Sequence, residues 1–200
     1  FDKAEVKISV KTRLRIEDPE EFFPIIKIYN QYPLEELIIH PRVQKDFYKK
    51  KPRLEVFREA AGQSRAPVCY NGDLFTPGDL HRFRKEFPEI GRVMIGRGAI
   101  VNPGFLNCIP EENVKGPGIT KEQLKGFHDR LLSDYGKELS GEKNLLFKMK
   151  ELWYYMIRLF PDHEKEGKKL KKVQHLWEYR EIVERLFQEK EPVFGETLFF

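Results

Sequence analysis

The sequence predicts an α/β fold with a helical module appended, and three observations carry that prediction. Strand patterns end near residues 13, 40, 71 and 96, a helical pattern fills each gap, and after Pro103 the apolar periodicity turns helical throughout. Strands about thirty residues apart with helices between them mark repeated β-α units. Short apolar runs of this kind suit strands of a parallel sheet, buried on both faces.

Lys7 to Leu14 alternates polar and apolar residues as a strand does. Asp18-Pro19-Glu20-Glu21 then signals a helix start, with an acidic N-cap, proline at the first helical position and carboxylates in the first turn. Phe22, Ile25, Ile26 and Tyr29 follow at helical spacing, with Pro24 tolerated only inside the first turn. The next strand ends at His40, and Leu54 to Ala61 forms the next helix. Ala66 to Tyr70 is a third strand stopped by Asn71-Gly72-Asp73; Thr76-Pro77-Gly78-Asp79 opens a helix through Phe87; Arg92 to Ile95 is a fourth strand stopped by Gly96-Arg97-Gly98.

Crossover rules leave an open doubly wound sheet or a closed (β/α)8 TIM barrel. The polar residues decide for the barrel. Lys11, Arg13, His40, Arg42, Asn71, Asp73 and Arg97 all stand at or just past the C-terminal ends of their strands, where barrel sites are built. The expected organisation is the C-terminal half of a barrel over 1–109, a Gly- and Pro-rich linker over 110–118, and a small all-α helical bundle over 119–200. Within that module Thr120 and Gln123 read as a capping box, Leu145 to Phe160 as an apolar stripe ended by Pro161, and Lys168 to Leu186 as one helix. The sequence begins at Phe1, inside this pattern, so a fragment of a longer protein is expected.

Composition narrows the class. With 36 Lys plus Arg against 32 Asp plus Glu, 40% hydrophobic and 34% charged positions, the chain has the profile of a soluble globular protein. No apolar run reaches the roughly eighteen residues that span a bilayer, and no apolar signal core opens the chain. No membrane partner is expected, and the cytoplasm is the expected compartment. Cys69 and Cys108 form no Cys-x-x-Cys pair and the histidines have no ligand spacing, so neither a disulfide framework nor a metal site is expected. Sixteen Phe, eight Tyr and two Trp are too many for a chain that stays unfolded. The net charge of +4 permits a polyanionic partner without requiring one.

Several residue patterns carry chemistry. Asn71-Gly72-Asp73 and Gly96-Arg97-Gly98 follow consecutive strands, where glycine lets backbone N–H groups approach an anion and Arg97 adds fixed charge; glycines there also simply turn the chain. Lys11 and Arg13, two apart on a strand, share a face and suit an anionic ring or phosphate, although a strand-end lysine also snorkels to solvent. His40 suits a hydrogen bond to a cofactor, with a structural role as the alternative. His81, His128, His163 and His175 read as surface residues, and Cys69 and Cys108 as buried and inert rather than as nucleophiles. Arg42 to Arg53 holds six cations and the single acid Asp46, interleaved with Phe47 and Tyr48, a mixture suited to phosphates and stacked bases; it also fits a solvated face, as does the Lys165 to Lys172 run.

Taken in order, Val10-Lys11-Thr12-Arg13-Leu14, Ile39-His40-Pro41-Arg42, Val68-Cys69-Tyr70-Asn71-Gly72-Asp73 and Val93-Met94-Ile95-Gly96-Arg97-Gly98-Ala99 with Asn102-Pro103 resemble the second half of the tRNA-dihydrouridine synthase family. Phe147 to Tyr154 resembles, less closely, a helix of that family's C-terminal helical domain. The resemblance implies a flavoprotein oxidoreductase of tRNA processing, with bound FMN and NADPH as reductant, that reduces a tRNA uridine to 5,6-dihydrouridine. It implies cofactor contacts from Lys11, His40, Asn71, Gly72, Asp73, Gly96 and Arg97. It implies RNA contacts from Arg13, Arg42, Lys45, Lys49, Lys50 and Lys150. The family's general acid is a cysteine in an Asn-x-x-Gly-Cys-Pro type motif that this chain lacks, so no catalytic acid is assigned. Glu151 departs from the basic residue often found there. A monomer is expected. Two other functions compete: an FMN-barrel oxidoreductase acting on a small molecule, and a non-catalytic RNA-binding remnant.

Overall fold

The computed structural model describes residues 5–47, 49–108 and 118–194. Four strands, β1 (Ser9–Arg13), β2 (Glu36–His40), β3 (Val68–Tyr70) and β4 (Arg92–Val93), form one parallel sheet in the order β1-β2-β3-β4. Between them lie α1 (Phe22–Tyr29), α2 (Leu54–Gln63) and α3 (Pro77–Glu86). Each strand thus pairs with its sequence neighbours, without the reversal of order that defines a doubly wound sheet. An α/β architecture with this parallel order is consistent with part of a barrel.

The register divides the sheet into two unlike faces. Lys11 pairs with Ile38, Ile38 with Cys69 and Cys69 with Arg92, while Arg13 pairs with His40. Side chains alternate along a strand, so Lys11, Arg13, Glu36, His40, Cys69 and Arg92 share one face. The other face carries Leu37, Ile39 and Tyr70, all buried. Tyr70 stacks on Phe83 at 4.0 Å and meets Phe57 of α2 edge-on at 5.0 Å, and Phe57 in turn meets Phe87. Burying aromatics of this size supplies much of the drive for folding.

The chain divides into two compact units. The first runs through Leu74 and adds Arg82–Gly96; the second comprises Phe75–His81 and the chain from Arg97 onward. The second unit therefore takes in α4 (Arg97–Val101), a short helix absent from the sequence reading, together with α5 (Lys121–Glu138), α6 (Glu142–Met156), α7 (Glu164–Lys172) and α8 (Leu176–Glu189). Its core gathers Leu124, Met149, Trp153, Leu170, Tyr179 and Phe187 with Phe75 and Val101. The expected linker over 110–118 lies outside the described residues apart from Gly118.

Local signals hold where the geometry is local. Asp18 accepts from the Glu20 N–H at 3.0 Å, and Thr120 and Gln123 cap each other at 3.2 and 2.8 Å. One expectation is corrected: Lys168 to Leu186 is not one helix. Glu178 accepts from the N–H groups of Gln174 and His175, which starts a new helix there and separates α7 from α8. The carboxylate satisfies donors that a helix N-terminus leaves orphaned. The basic run Lys165 to Lys172 falls on α7, with acids in its first turn and lysines in its last, as the helix dipole favours.

Candidate ligand site at the C-terminal edge of the sheet

The site residues of the first unit come together where β1, β2 and β3 end. His40 is the last residue of β2 and is 5% exposed. Its Nδ1 lies 3.4 Å from Asn71 Oδ1, and its Nε2 lies 3.3 Å from Arg42 Nη1. Asn71 sits one residue past β3, where its N–H donates to the Ile39 carbonyl and its Nδ2 donates to the Met94 carbonyl at 2.8 Å. Burial pulls the His40 pKa down to about 4, with Arg13, Arg42 and Lys11 adding to the effect and the Asn71 bond opposing it. The imidazole is neutral at physiological pH.

Arg42 departs from the sequence expectation. Read as a surface contact for RNA, it is 1% exposed and donates Nη1 to Asp73 Oδ1 at 2.8 Å, Nη2 to Asp73 Oδ2, and Nε to the Lys50 carbonyl. A guanidinium this deep requires a bonded counter-charge, and Asp73 supplies it. Arg42 and Asp73, assigned by resemblance to different ligands, are one ion pair. Arg13 is half-buried and reaches the Val43 carbonyl at 3.5 Å, while Lys11 is exposed on the same face.

The two glycines differ. A Cβ at Gly72 would fall 1.8 Å from the Tyr70 hydroxyl oxygen, so glycine is required there by the chain's own packing. At Gly96 a Cβ would meet nothing within 4 Å. Gly96 is exposed just past β4, and the cations Lys11 and Arg13 lie on β1, with β2 and β3 between them in the sheet order. Arg97, next in the chain, begins the second unit, where its guanidinium lies 5.1 Å from the centre of the Phe75 ring.

The basic loop after β2 has an organiser that the sequence reading passed over. Asp46 is 3% exposed; it accepts from the Val43 N–H at 3.0 Å and from Arg53, and Lys50 Nζ stands 3.9 Å away. The Arg53 bond holds its carboxyl below the usual range. The signal was present: a lone acid inside a basic run is an internal counter-charge. Lys45 pairs with Glu17, and Lys49 is exposed. Lys150, on α6 of the second unit, donates to the Val173 carbonyl. Phe47 is 69% exposed; Tyr48 lies outside the described residues.

Two further side chains are placed. Cys69 is buried, and burial together with Glu36 pushes its thiol up to about 11, which leaves it protonated and inert. His128 is corrected: expected at the surface, it is 2% exposed, bonded through Nε2 to the Tyr179 hydroxyl at 2.7 Å, and Trp153 Nε1 donates to the same oxygen at 2.6 Å. Among the described residues no cluster of three or more His, Cys, Asp or Glu could hold a metal ion, and no helix is long and apolar enough to cross a membrane.

A parallel α/β sheet whose polar and charged side chains gather at the strands' C-terminal ends defines the class that binds small ligands there. Comparison with known proteins makes this specific. A family model described as dihydrouridine synthase matches residues 2–191, and the chain belongs to that family. It is similar to a tRNA-dihydrouridine(16) synthase of Vibrio parahaemolyticus, 24% identical over 189 residues, covering 89% of this chain and 56% of the relative. It is similar also to those of Vibrio vulnificus, 26% identical with coverage of 90% and 57%, and Aquipseudomonas alcaligenes, 27% identical with coverage of 53% and 33%. The chain spans about half the length of the first two of these relatives.

Proposed function

We propose that this chain is the C-terminal part of a TIM-barrel flavoenzyme, with its helical tRNA-binding domain, that reduces uridine to 5,6-dihydrouridine in tRNA. The observation that carries this reading is the family match across residues 2–191. FMN is the proposed cofactor and NADPH its reductant, the flavin supplying hydride chemistry at the uridine ring. Lys11, His40, Asn71, Gly72, Asp73, Gly96 and Arg97 are the residues proposed to hold it. Lys11 brings positive charge to the face of the sheet that carries His40, His40 stays neutral beside Asn71, and Gly96 leaves room for a phosphate. None of these residues is assigned as the general acid.

RNA is proposed to lie against Arg13, Lys45, Lys49, Lys50 and Lys150, with the target base extruded from its stack to reach the cofactor. The protein is proposed to act in the cytoplasm as a monomer. The test is the visible spectrum of the protein expressed from its complete gene. A flavin spectrum that bleaches with NADPH, followed by dihydrouridine formation in unmodified tRNA, is the expected result. A colourless protein that takes up no added FMN overturns the reading.

A further inference from the structure

We infer that Arg42 is a positioning residue of this site: one buried guanidinium clamps the Asp73 carboxylate and, together with Asn71, holds the His40 imidazole as its Nδ1–H tautomer, so that the loops after β2 and β3 are set as a unit.

The tautomer follows from donors and acceptors alone. A guanidinium has only N–H groups to offer, so His40 Nε2, 3.3 Å from Arg42 Nη1, must accept. The proton of the neutral ring therefore sits on Nδ1, directed at Asn71 Oδ1. Asn71 cannot present its amide the other way, because its Nδ2 already donates to the Met94 carbonyl at 2.8 Å, and a flipped amide would set two oxygens against each other. Protonating the ring would turn Nε2 into a donor facing a donor, beside the further cations Arg13 and Lys11.

The clamp on Asp73 is equally directional. The two parallel bonds from Nη1 and Nη2 fix the carboxylate plane, as a single ammonium cannot. Nε ties the same group to the Lys50 carbonyl, and the backbone N–H of Arg42 donates to the His40 carbonyl at 2.7 Å. One side chain thus links the end of β2, the basic loop after it and the loop after β3. That His40 and Asp73 touch a flavin rests on the function proposed above; that Arg42 sets them does not.

The test is nitrogen NMR of the His40 ring in the full-length protein, with FMN affinity measured beside it. In wild type, Nε2 is expected to be unprotonated and Nδ1 protonated from pH 8 down to pH 5. Arg42→Gln is expected to leave Nδ1–H directed at Asn71, to raise the titration midpoint of the ring by taking a cation from beside Nε2, and to weaken FMN binding by roughly tenfold, the usual scale for losing an orienting outer partner. Asp73→Asn removes the counter-charge that the buried Arg42 requires and is expected to disturb His40 and FMN binding in the same direction as Arg42→Gln. A wild-type ring protonated on Nε2 overturns the inference, as does a folded Arg42→Gln protein whose His40 titration midpoint is unchanged. If Arg42→Gln fails to fold, the wild-type tautomer alone decides. If wild type takes up no FMN, the proposed function falls while the His40 spectra still judge Arg42.

Discussion

The Tyr70 hydroxyl occupies the space that a side chain on Gly72 would need: a Cβ there would lie 1.8 Å from the phenolic oxygen and 2.1 Å from the ring carbon bearing it. Tyr70 cannot yield easily, being 3% exposed and stacked on Phe83 at 4.0 Å. Gly72→Ala is therefore expected to destabilise the first unit by about 1–3 kcal/mol, the cost of overpacking a filled site. Adding Tyr70→Phe is not expected to rescue it, because the ring carbon remains in the way. Denaturant titration of the single and double variants measures both statements.

Gly96→Ala should behave in the opposite way. Its Cβ would meet nothing within 4 Å and its backbone is of an ordinary conformation, so stability is expected to change by less than about 0.5 kcal/mol. The methyl would stand in the space proposed for the cofactor phosphate. FMN binding, followed by fluorescence quenching, is expected to weaken about tenfold or more with an unaltered unfolding curve. Unchanged binding would remove Gly96 from the site.

The contrast between those glycines marks what was legible in the sequence. Strands, helices and caps are written in adjacent residues: Asn71-Gly72-Asp73 stops a strand, and Thr120 with Gln123 starts a helix. The ends of the strands, and hence the neighbourhood of Lys11, His40 and Asn71, followed from that punctuation. Pairings across many residues did not. Arg42 meets Asp73 across 31 positions, and His128 meets Tyr179 across 51. A basic run does not reveal which of its cations turns inward to a distant acid. Nor does an isolated histidine reveal a buried hydroxyl that makes its burial tolerable.

The two buried histidines make stability depend on pH in a defined direction. His40 is drawn from 6.5 to about 4 by burial and the cations around it, and His128 is lowered chiefly by burial against the opposing pull of Asp129. With folded-state values below unfolded ones, the unfolded chain takes up protons first as pH falls through 6.5. Stability is then complete above that value and is lost toward pH 4. At about 1.4 kcal/mol per pH unit, His40 alone accounts for about 3 kcal/mol across the window. Urea midpoints should be level from pH 8 to 7 and fall steadily from 6.5 to 5. A level profile through pH 5 would show that neither ring is held neutral.

The basic loop makes the RNA reading quantitative through its lysines. Lys45 is an exposed partner of Glu17, Lys49 is exposed, and Lys50 stands 3.9 Å from Asp46 with its ammonium largely in solvent. Exposed ion pairs contribute about 0–1 kcal/mol, so these cations transfer readily to phosphates and their removal leaves the fold intact. Counterion release ties each phosphate contact to about 0.7–0.9 in the slope of log affinity against log salt. In the full-length protein, Lys45→Ala/Lys49→Ala/Lys50→Ala is expected to lower the tRNA slope by about 2, with the thermal midpoint nearly unchanged. An unaltered slope would place the RNA elsewhere, and Phe47 with its loop would then be a solvated face.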